Sequence, residues 1–402
     1  MRISTAQFHF QSSQNITNLQ SDVNEQVQYL SSGKRVLTAK DDAVSYSTLA
    51  GYKDALSSIE RYQRNITQAE SHNSLQGVSF TDAENNLQAL KQLFIQANNG
   101  TLNGSDLTAL ANRAEASQEN LLNAANTQDE NGNYIFSGYQ TNTKPFVQQA
   151  DNSTVYLGDN GVNKLQIAKN ITVETNQTGS QVFEKIPNRI GDFSVNYIAN
   201  TSGIEVINAN IATPSAYDAT GFPPDYNFNF TSATDLSVTD SNGVSVFSTT
   251  TYAPGQTIAF NGVEVKLNGN PLPGDNFTIT PESEESLFDT VKSAIDWMND
   301  GSAGPADLTL HAIDYDKILG QLDEALNHIT SRRAEVGVRL NLIEVQESNH
   351  LDSELYIASG QSNIEDLDFA KAVGSFEQSK VALQAAQQTF VQVNGLNLFN
   401  FI

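Results

Sequence analysis

The sequence predicts an α+β fold. Helices drawn from both chain ends pack antiparallel as an elongated rod or coiled-coil bundle, and an antiparallel β domain is inserted between them. Three observations predict it. Apolar residues recur at helical spacing from Ile16 to Ala124, and again from Leu287 onward. From Tyr134 to about Pro281 that rhythm is replaced by short runs rich in Val, Ile, Phe, Tyr and Thr. Turn signals punctuate those runs: Asp159-Asn160-Gly161, Ser241-Asn242-Gly243, Asn261-Gly262, Asn268-Gly269 and Pro273-Gly274.

Taken in order, the first helix carries Ile16, Leu19, Val23, Val27 and Leu30 on one face, and Gly33 is placed to stop it. A long helix begins near Asp41-Asp42, whose charges suit an N-terminal turn. Leu49, Tyr52, Leu56, Ile59, Ile66 and Ala69 mark its inner face, and Phe80, Ala83, Leu87, Leu90, Phe94 and Ala97 continue it to Asn98-Asn99-Gly100. Gly77 is its weak point, costing about 1 kcal/mol against Ala. Leu107, Leu110, Ala114, Leu121 and Ala124 form a third helix. The strand segments include Thr154 to Leu157, Leu236 to Thr239 and Thr257 to Phe260, while Gly221 to Asn229, with Pro223-Pro224, reads as a loop. Helix resumes at Glu284 and is broken by a Gly- and Pro-bearing link from Gly301 to Pro305. A second long helix, about Asp307 to Ser359, keeps Leu322, Ile329, Val336, Ile343 and Ile357 in seven-residue register. The expected division is residues 1–45 with 360–402 as a terminal coiled-coil assembly domain, 46–140 with 285–359 as a long-helix rod domain, and 141–284 as an outer β-rich domain at the end away from the termini.

The final stretch is the most patterned. Phe369, Phe376, Leu383 and Phe390 fall seven residues apart, and Ala372, Ser379, Ala386 and Val393 follow three positions behind. Large residues in one row and small ones in the other make a seam that needs another helix. Along Leu319 to Ile343 and Leu49 to Phe94 such seams read as internal core. At the chain ends order usually requires docking, so the stripes there are expected to meet other subunits.

Composition narrows the function classes. The chain has 402 residues, 39% apolar content and a net charge of −24, from 46 acidic and 22 basic side chains. That surface repels phosphate backbones and anionic lipid, so neither nucleic acid nor membrane is an expected partner. There is no Cys, which removes disulfide stapling and thiol chemistry. The opening MRISTAQFHFQSSQ has no apolar core of a secretory signal, and no run approaches the ~20 apolar residues that span a bilayer.

The search for chemistry finds no site. His9, His72, His311, His328 and His350 are scattered, with no H-E-x-x-H among them and no G-x-S-x-G in the chain. Asp129, Asn131 and Asn133 begin like a calcium loop, but Tyr134 stands where that loop needs Gly, so a turn is expected. Asp41-Asp42 and Glu284-Glu285 read as helix-start charges. No catalytic residue, cofactor or metal site is expected.

A resemblance adds to this reading. LSSGKRVLTAKDDAVSYS, from Leu30 to Ser47 with Asp41 and Asp42, resembles the N-terminal signature of bacterial flagellins and their hook-associated relatives. Arg332, Arg333 and Gly337, with the following Leu340 to Glu344, resemble the matching C-terminal helix, as does the ending from Gln387 to Phe399. NGNYIFSGYQTNTKPF, which carries Phe136, Ser137, Gly138, Pro145 and Phe146, is similar to a segment of the hook-associated members. Tyr156 to Gly161, Asn176 to Phe183 and the unit Gly255 to Pro281 are similar to them also. The resemblance implies a non-enzymatic, extracellular subunit of the flagellar hook–filament junction. It implies self-association in a ring, hook-associated protein 1 on the hook side, and flagellin on the filament side. It also implies type III export without a cleaved signal peptide, with a cytoplasmic chaperone on the C-terminal segment. Ile16, Leu19, Val23, Val27, Leu30, Phe369, Ala372, Phe376, Leu383, Ala386, Phe390 and Val393 are the candidate subunit and chaperone interface. The alternatives are flagellin itself, a protein-1-like axial subunit, or a β domain that acts as a surface adhesin.

Overall fold

The computed structural model describes residues 2–218, 225–305 and 307–399. Pro223-Pro224 of the expected loop lie outside them. The chain forms two compact units. One comprises Met1–Arg64 with Val345–Ile402, and the other Asn65–Glu344.

The first unit contains α1 (Arg2–Ser32), the opening of α2 (Ala43–Ala97), the close of α6 (Leu308–Glu365) and α7 (Phe369–Phe399). Each boundary has a local cause. Gly33 ends α1 with φ at 70°. Asp42 Oδ1 accepts the Val44 and Ser45 N–H groups, which caps α2. Asp307 Oδ1 takes the Thr309 N–H at 2.8 Å to cap α6, and Asp368 Oδ1 takes the Lys371 N–H to cap α7. Helix α2 runs through Gly77 without a break. Tertiary packing outweighs that single unfavourable propensity, with Gln76 and Ser79 beside it fully or almost fully buried.

The second unit has two main cores. The helical core joins α2, α3 (Gly104–Ala125), α5 (Leu287–Ala303) and α6 through Phe80, Leu90, Phe94, Leu121, Val291 and Leu322. A capping box between Asn103 and Asp106 starts α3. The chain then lays small pieces on these helices. Strands β1 (Phe146–Gln148) and β2 (Thr154–Tyr156) pair, as do β3 (Lys164–Ala168) and β4 (Ile171–Glu174). Ile167 and Val173 of the second hairpin pack with Ile66, Ala69 and Ile343. A π-helical turn, Ser180–Glu184, carries Phe183 into the helical core.

The second core is a lobe of two antiparallel sheets. One has five strands: β10 (Ser245–Thr249), β9 (Leu236–Thr239), β8 (Tyr226–Phe230), β13 (Asn276–Pro281) and β6 (Phe193–Ala199), in that spatial order. The other has three: β11 (Thr257–Phe260), β12 (Val263–Asn268) and β7 (Glu205–Ile211). A short helix, α4 (Pro214–Asp218), follows β7. Alternating burial along β12 and β13 sends Val263, Val265, Leu267, Phe277 and Ile279 inward. The Phe228 and Phe277 rings stack at 4.6 Å between directly paired residues. Asn261-Gly262 forms the predicted two-residue hairpin turn between Phe260 and Val263. Strand β6 runs beside β7 and β10 beside β11, so the sheet edges cover one another.

Several boundaries differ from expectation, among them the loop expected to run to Asn229, which is strand β8 from Tyr226 onward. Glu284-Glu285 is not a helix start. It forms β14, paired with β5 (Ile186–Pro187), and Ser286 caps α5 instead. Helix α5 continues through Gly301 to Ala303, and α6 continues past Ser359 to Glu365. Residues 134–186 read as strand by composition, yet Phe136, Phe146, Val182, Phe183 and Ile186 belong to the helical core, and the lobe core begins at Ile190. Residue pattern reports a pleated face; only packing reports which core that face joins.

Candidate functional site

The seam residues come together inside one chain. Helices α1 and α7 lie antiparallel: the His9 ring meets Phe390 edge-on at 5.8 Å, and the Phe369 ring lies beside Gly33 at the other end. On α7, Ala372 is buried, while Phe376, Ser379, Leu383, Ala386, Phe390 and Val393 are half-buried. On α1, Ser12, Ile16, Leu19, Val23, Gln26 and Leu30 are half-buried. The stripes expected to meet other subunits therefore each have a first partner in the same polypeptide. Two predicted residues fall off the seam. Val27 is 45% exposed, because steps of three and four residues bring Gln26, not Val27, onto the seam. Phe369 is 56% exposed, because α1 ends opposite it.

A pair of helices leaves much apolar surface outside. Phe8, Phe10, Val373, Val381 and Val391 are all exposed on α1 and α7, as are Val44, Tyr46, Leu355 and Tyr356 on the parts of α2 and α6 in the same unit.

The N-terminal signature explains itself as a clasp. Lys34 Nζ lies 2.5 Å from Glu365 Oε1, the Arg35 N–H donates to the Glu365 carbonyl at 2.7 Å, and Arg35 Nη2 donates to the Ile364 carbonyl at 2.9 Å. The Leu367 N–H donates back to Gly33. Burial works against ionisation of Glu365, but hydrogen bonds from Lys34 and Gln361 more than offset it and hold its carboxyl below the ordinary value. Asp41 Oδ2 accepts the Leu37 and Thr38 N–H groups, and its pKa is lowered chiefly by the Thr38 bond. Burial, with Asp41 and Glu25 nearby, pushes the Tyr29 hydroxyl up to about 12.

The remaining signature residues stand in the second unit. Phe136 packs against Phe80 and Phe183 with centroids 5.7 and 5.3 Å away, and Phe146 against Phe183 and Phe288. The Ser137 hydroxyl donates to the Tyr134 carbonyl, and Gly138 lies under Asp159, whose Oδ1 accepts the Tyr139 and Gly161 N–H groups. The Pro145 carbonyl accepts the Leu157 N–H. Asn126, at the end of α3, exchanges two hydrogen bonds with the Phe146 backbone. Arg333 Nη1 reaches Glu84 Oε2 at 2.6 Å across α2 and α6, whereas Arg332 pairs with Glu335 one turn along its own helix. Gly337 is exposed, with no described atom within 4 Å of the position a Cβ would take, and no contact explains it.

The sequence reading missed a line of buried polar side chains. Asn73 Nδ2 donates to Glu174, Gln76 Nε2 to Thr175 and Gln177 Nε2 to Glu335, joining α2 and α6 to the β4 segment. Amides at helical spacing inside an apolar stripe were the available signal.

Asp129 makes the expected turn, its Oδ1 accepting the Asn131 and Asn133 N–H groups. Three of the histidines sit in structural contacts: His311 stacks on Trp297 at 4.1 Å, His350 on Tyr62 at 5.5 Å, and His328 Nε2–H donates to the Gln181 carbonyl. Among the described residues no three His, Asp or Glu side chains are grouped to hold a metal ion, and no helix is long and apolar enough to cross a membrane.

Two family models match the chain. Residues 3–141 match the bacterial flagellin N-terminal helical region, and residues 319–402 the bacterial flagellin C-terminal helical region. The chain belongs to the flagellin family. It is 25% identical over 400 residues to flagellar hook-associated protein 3 of Escherichia coli (strain K12), covering 99% of both chains. Identity is 25% over 402 residues to the protein of the same name from Salmonella typhimurium. The crystal structure of flagellar hook-associated protein 3 from Legionella pneumophila superposes with a TM-score of 0.67 at 29% identity, covering 78% of this chain and 98% of that one. The Xanthomonas campestris FlgL structure shares the fold, with a TM-score of 0.64 at 23% identity over 77% of this chain and 99% of that chain. The homologues are thus junction proteins of the flagellum related to flagellin, and their helical ends flank an antiparallel β domain as they do here.

Proposed function

We propose that this chain is a structural, non-enzymatic subunit of the bacterial flagellum, placed as a ring at the hook–filament junction. Its end-to-end likeness to hook-associated protein 3 carries the reading. Residues 1–45 and 360–402 form the assembly segment. Paired α1 and α7 bring their remaining apolar faces, including Val27, Phe369, Val373 and Val381, to neighbouring copies, to hook-associated protein 1 on the hook side and to flagellin on the filament side. Before assembly the same faces are covered by a cytoplasmic export chaperone, and the chain leaves through the type III channel without a cleaved signal peptide. The acidic surface keeps so apolar an end soluble.

Phe376→Asp combined with Phe390→Asp tests this in cells that lack the native copy. Export without filament growth on the hook is the expected outcome for the variant, and for the native chain immunogold label on intact flagella should be confined to one band at the hook end. Normal filaments from the double variant, or label along the whole filament, would refute it.

A further inference from the structure

The chain enters the β lobe through β5 and leaves through β14, two paired residues on each side, and bonds from the Asn188 N–H to the Ser283 carbonyl and from the Glu282 N–H to the Asp192 carbonyl carry this neck on toward β6 and β13. Ile186, the first residue of the neck, belongs to the helical core, and Ile190, after it, to the lobe core. A turn in which the Gly191 N–H bonds the Asn188 carbonyl interrupts this ladder, so a few backbone dihedrals there can absorb a swing. What fixes the angle is one face of α6. Lys317, Gly320 and Gln321, at i, i+3 and i+4, share the face that meets the neck and the first residues of the lobe. Gln321 is 3% exposed; its Oε1 accepts the Arg189 N–H at 2.9 Å and its Nε2 donates to the Pro187 carbonyl at 3.2 Å. Lys317 Nζ donates to the Val195 carbonyl of β6 at 3.3 Å. The Arg189 side chain crosses α6 at Gly320, where a Cβ would stand 2.1 Å from Arg189 Cδ and 2.3 Å from Nε. It ends on Glu205 of β7, Nη1 to Oε1 at 3.0 Å. The space left beside these groups, between Ile190, Val195, Val206 and Ile313, is about 10 Å³, room for one water at most.

We propose that Arg189, seated in the notch that Gly320 leaves in α6, is a latch that fixes the angle of the β lobe on the helical part of its unit. Closed, the latch ties the lobe's first residues and β7 to α6. Opened, the lobe turns on its two-strand neck.

The chain has no Cys, so spin labels enter cleanly at Ser241→Cys on the lobe and Glu115→Cys on α3, both exposed. Electron–electron double resonance on the otherwise native full-length chain should give one narrow distance distribution. Arg189→Ala and Gly320→Ala should each broaden it at least about twofold, with helix content unchanged by circular dichroism. The double variant should be no broader than either single one, because both remove the same contact. A narrow distribution in Arg189→Ala would overturn the proposal. So would broadening that adds up in the double variant.

Discussion

Arg333→Met separates two adjacent arginines that sequence treats alike. Arg333 Nη1 is 2.6 Å from Glu84 Oε2, and the Glu84 side chain is 9% exposed. Glu84 Oε1 has no hydrogen-bond partner among the described residues. Removing the guanidinium leaves a carboxylate on the inner face of α2 with neither oxygen satisfied. Breaking a fully buried pair costs about 3–5 kcal/mol. The Arg333 side chain is 43% exposed, so water enters the gap and the expected loss falls to about 1–2 kcal/mol. Glu84→Gln with Arg333→Met removes both charges and should recover part of it, with a coupling of at least about 0.5 kcal/mol in the double-mutant cycle. Arg332→Met removes only a contact within α6 and should cost less than about 0.5 kcal/mol. Urea unfolding of the full chain, followed by far-ultraviolet circular dichroism at neutral pH, measures all four. Equal effects of Arg332→Met and Arg333→Met, or no coupling between Glu84 and Arg333, would refute the argument.

Asp275 is fully buried and accepts the Thr201 N–H at 2.8 Å, the Leu272 N–H at 2.7 Å and the Thr201 and Ser202 hydroxyls, so Asp275→Ala orphans two N–H groups and should cost the β lobe about 2–4 kcal/mol by calorimetry. Burial pushes its carboxyl up, yet the bonds from Leu272, Ser202 and Thr201 win and hold it low; its stabilisation is therefore present above the unfolded value of about 3.9 and lost as pH falls through the folded one, a loss that Asp275→Asn should flatten. Glu285 has the opposite sign: burial raises its pKa, so the folded chain binds the extra proton and stability falls as pH rises from about 4.3 through the raised value. Glu285→Gln should melt higher than the native chain at neutral pH, and a lower melting temperature there would contradict the burial argument. Leu383→Asn, on the half-buried seam, should loosen the pair by about 1–2 kcal/mol and speed amide exchange along both α1 and α7 of the monomer; faster exchange in α7 alone would mean that α1 does not depend on that seam.

The sequence by itself determined the helices, several of their ends and the run of strands between them. Seven-residue spacing, Gly33, Asp42, Asp307 and Asn261-Gly262 act through short-range sterics and local hydrogen bonds, so they read the same in a string as in a fold. The family signatures were legible too, although not why they matter: the Lys34–Glu365 clasp joins residues far apart in the chain, and Arg333 needs Glu84 on another helix. Tertiary structure alone decided which core each segment joins. It put Phe146 and Phe183 with the helices, turned Val27 away from the seam and seated Arg189 over Gly320. Burial is a property of surfaces brought together, and no local pattern of residues specifies which surface will arrive.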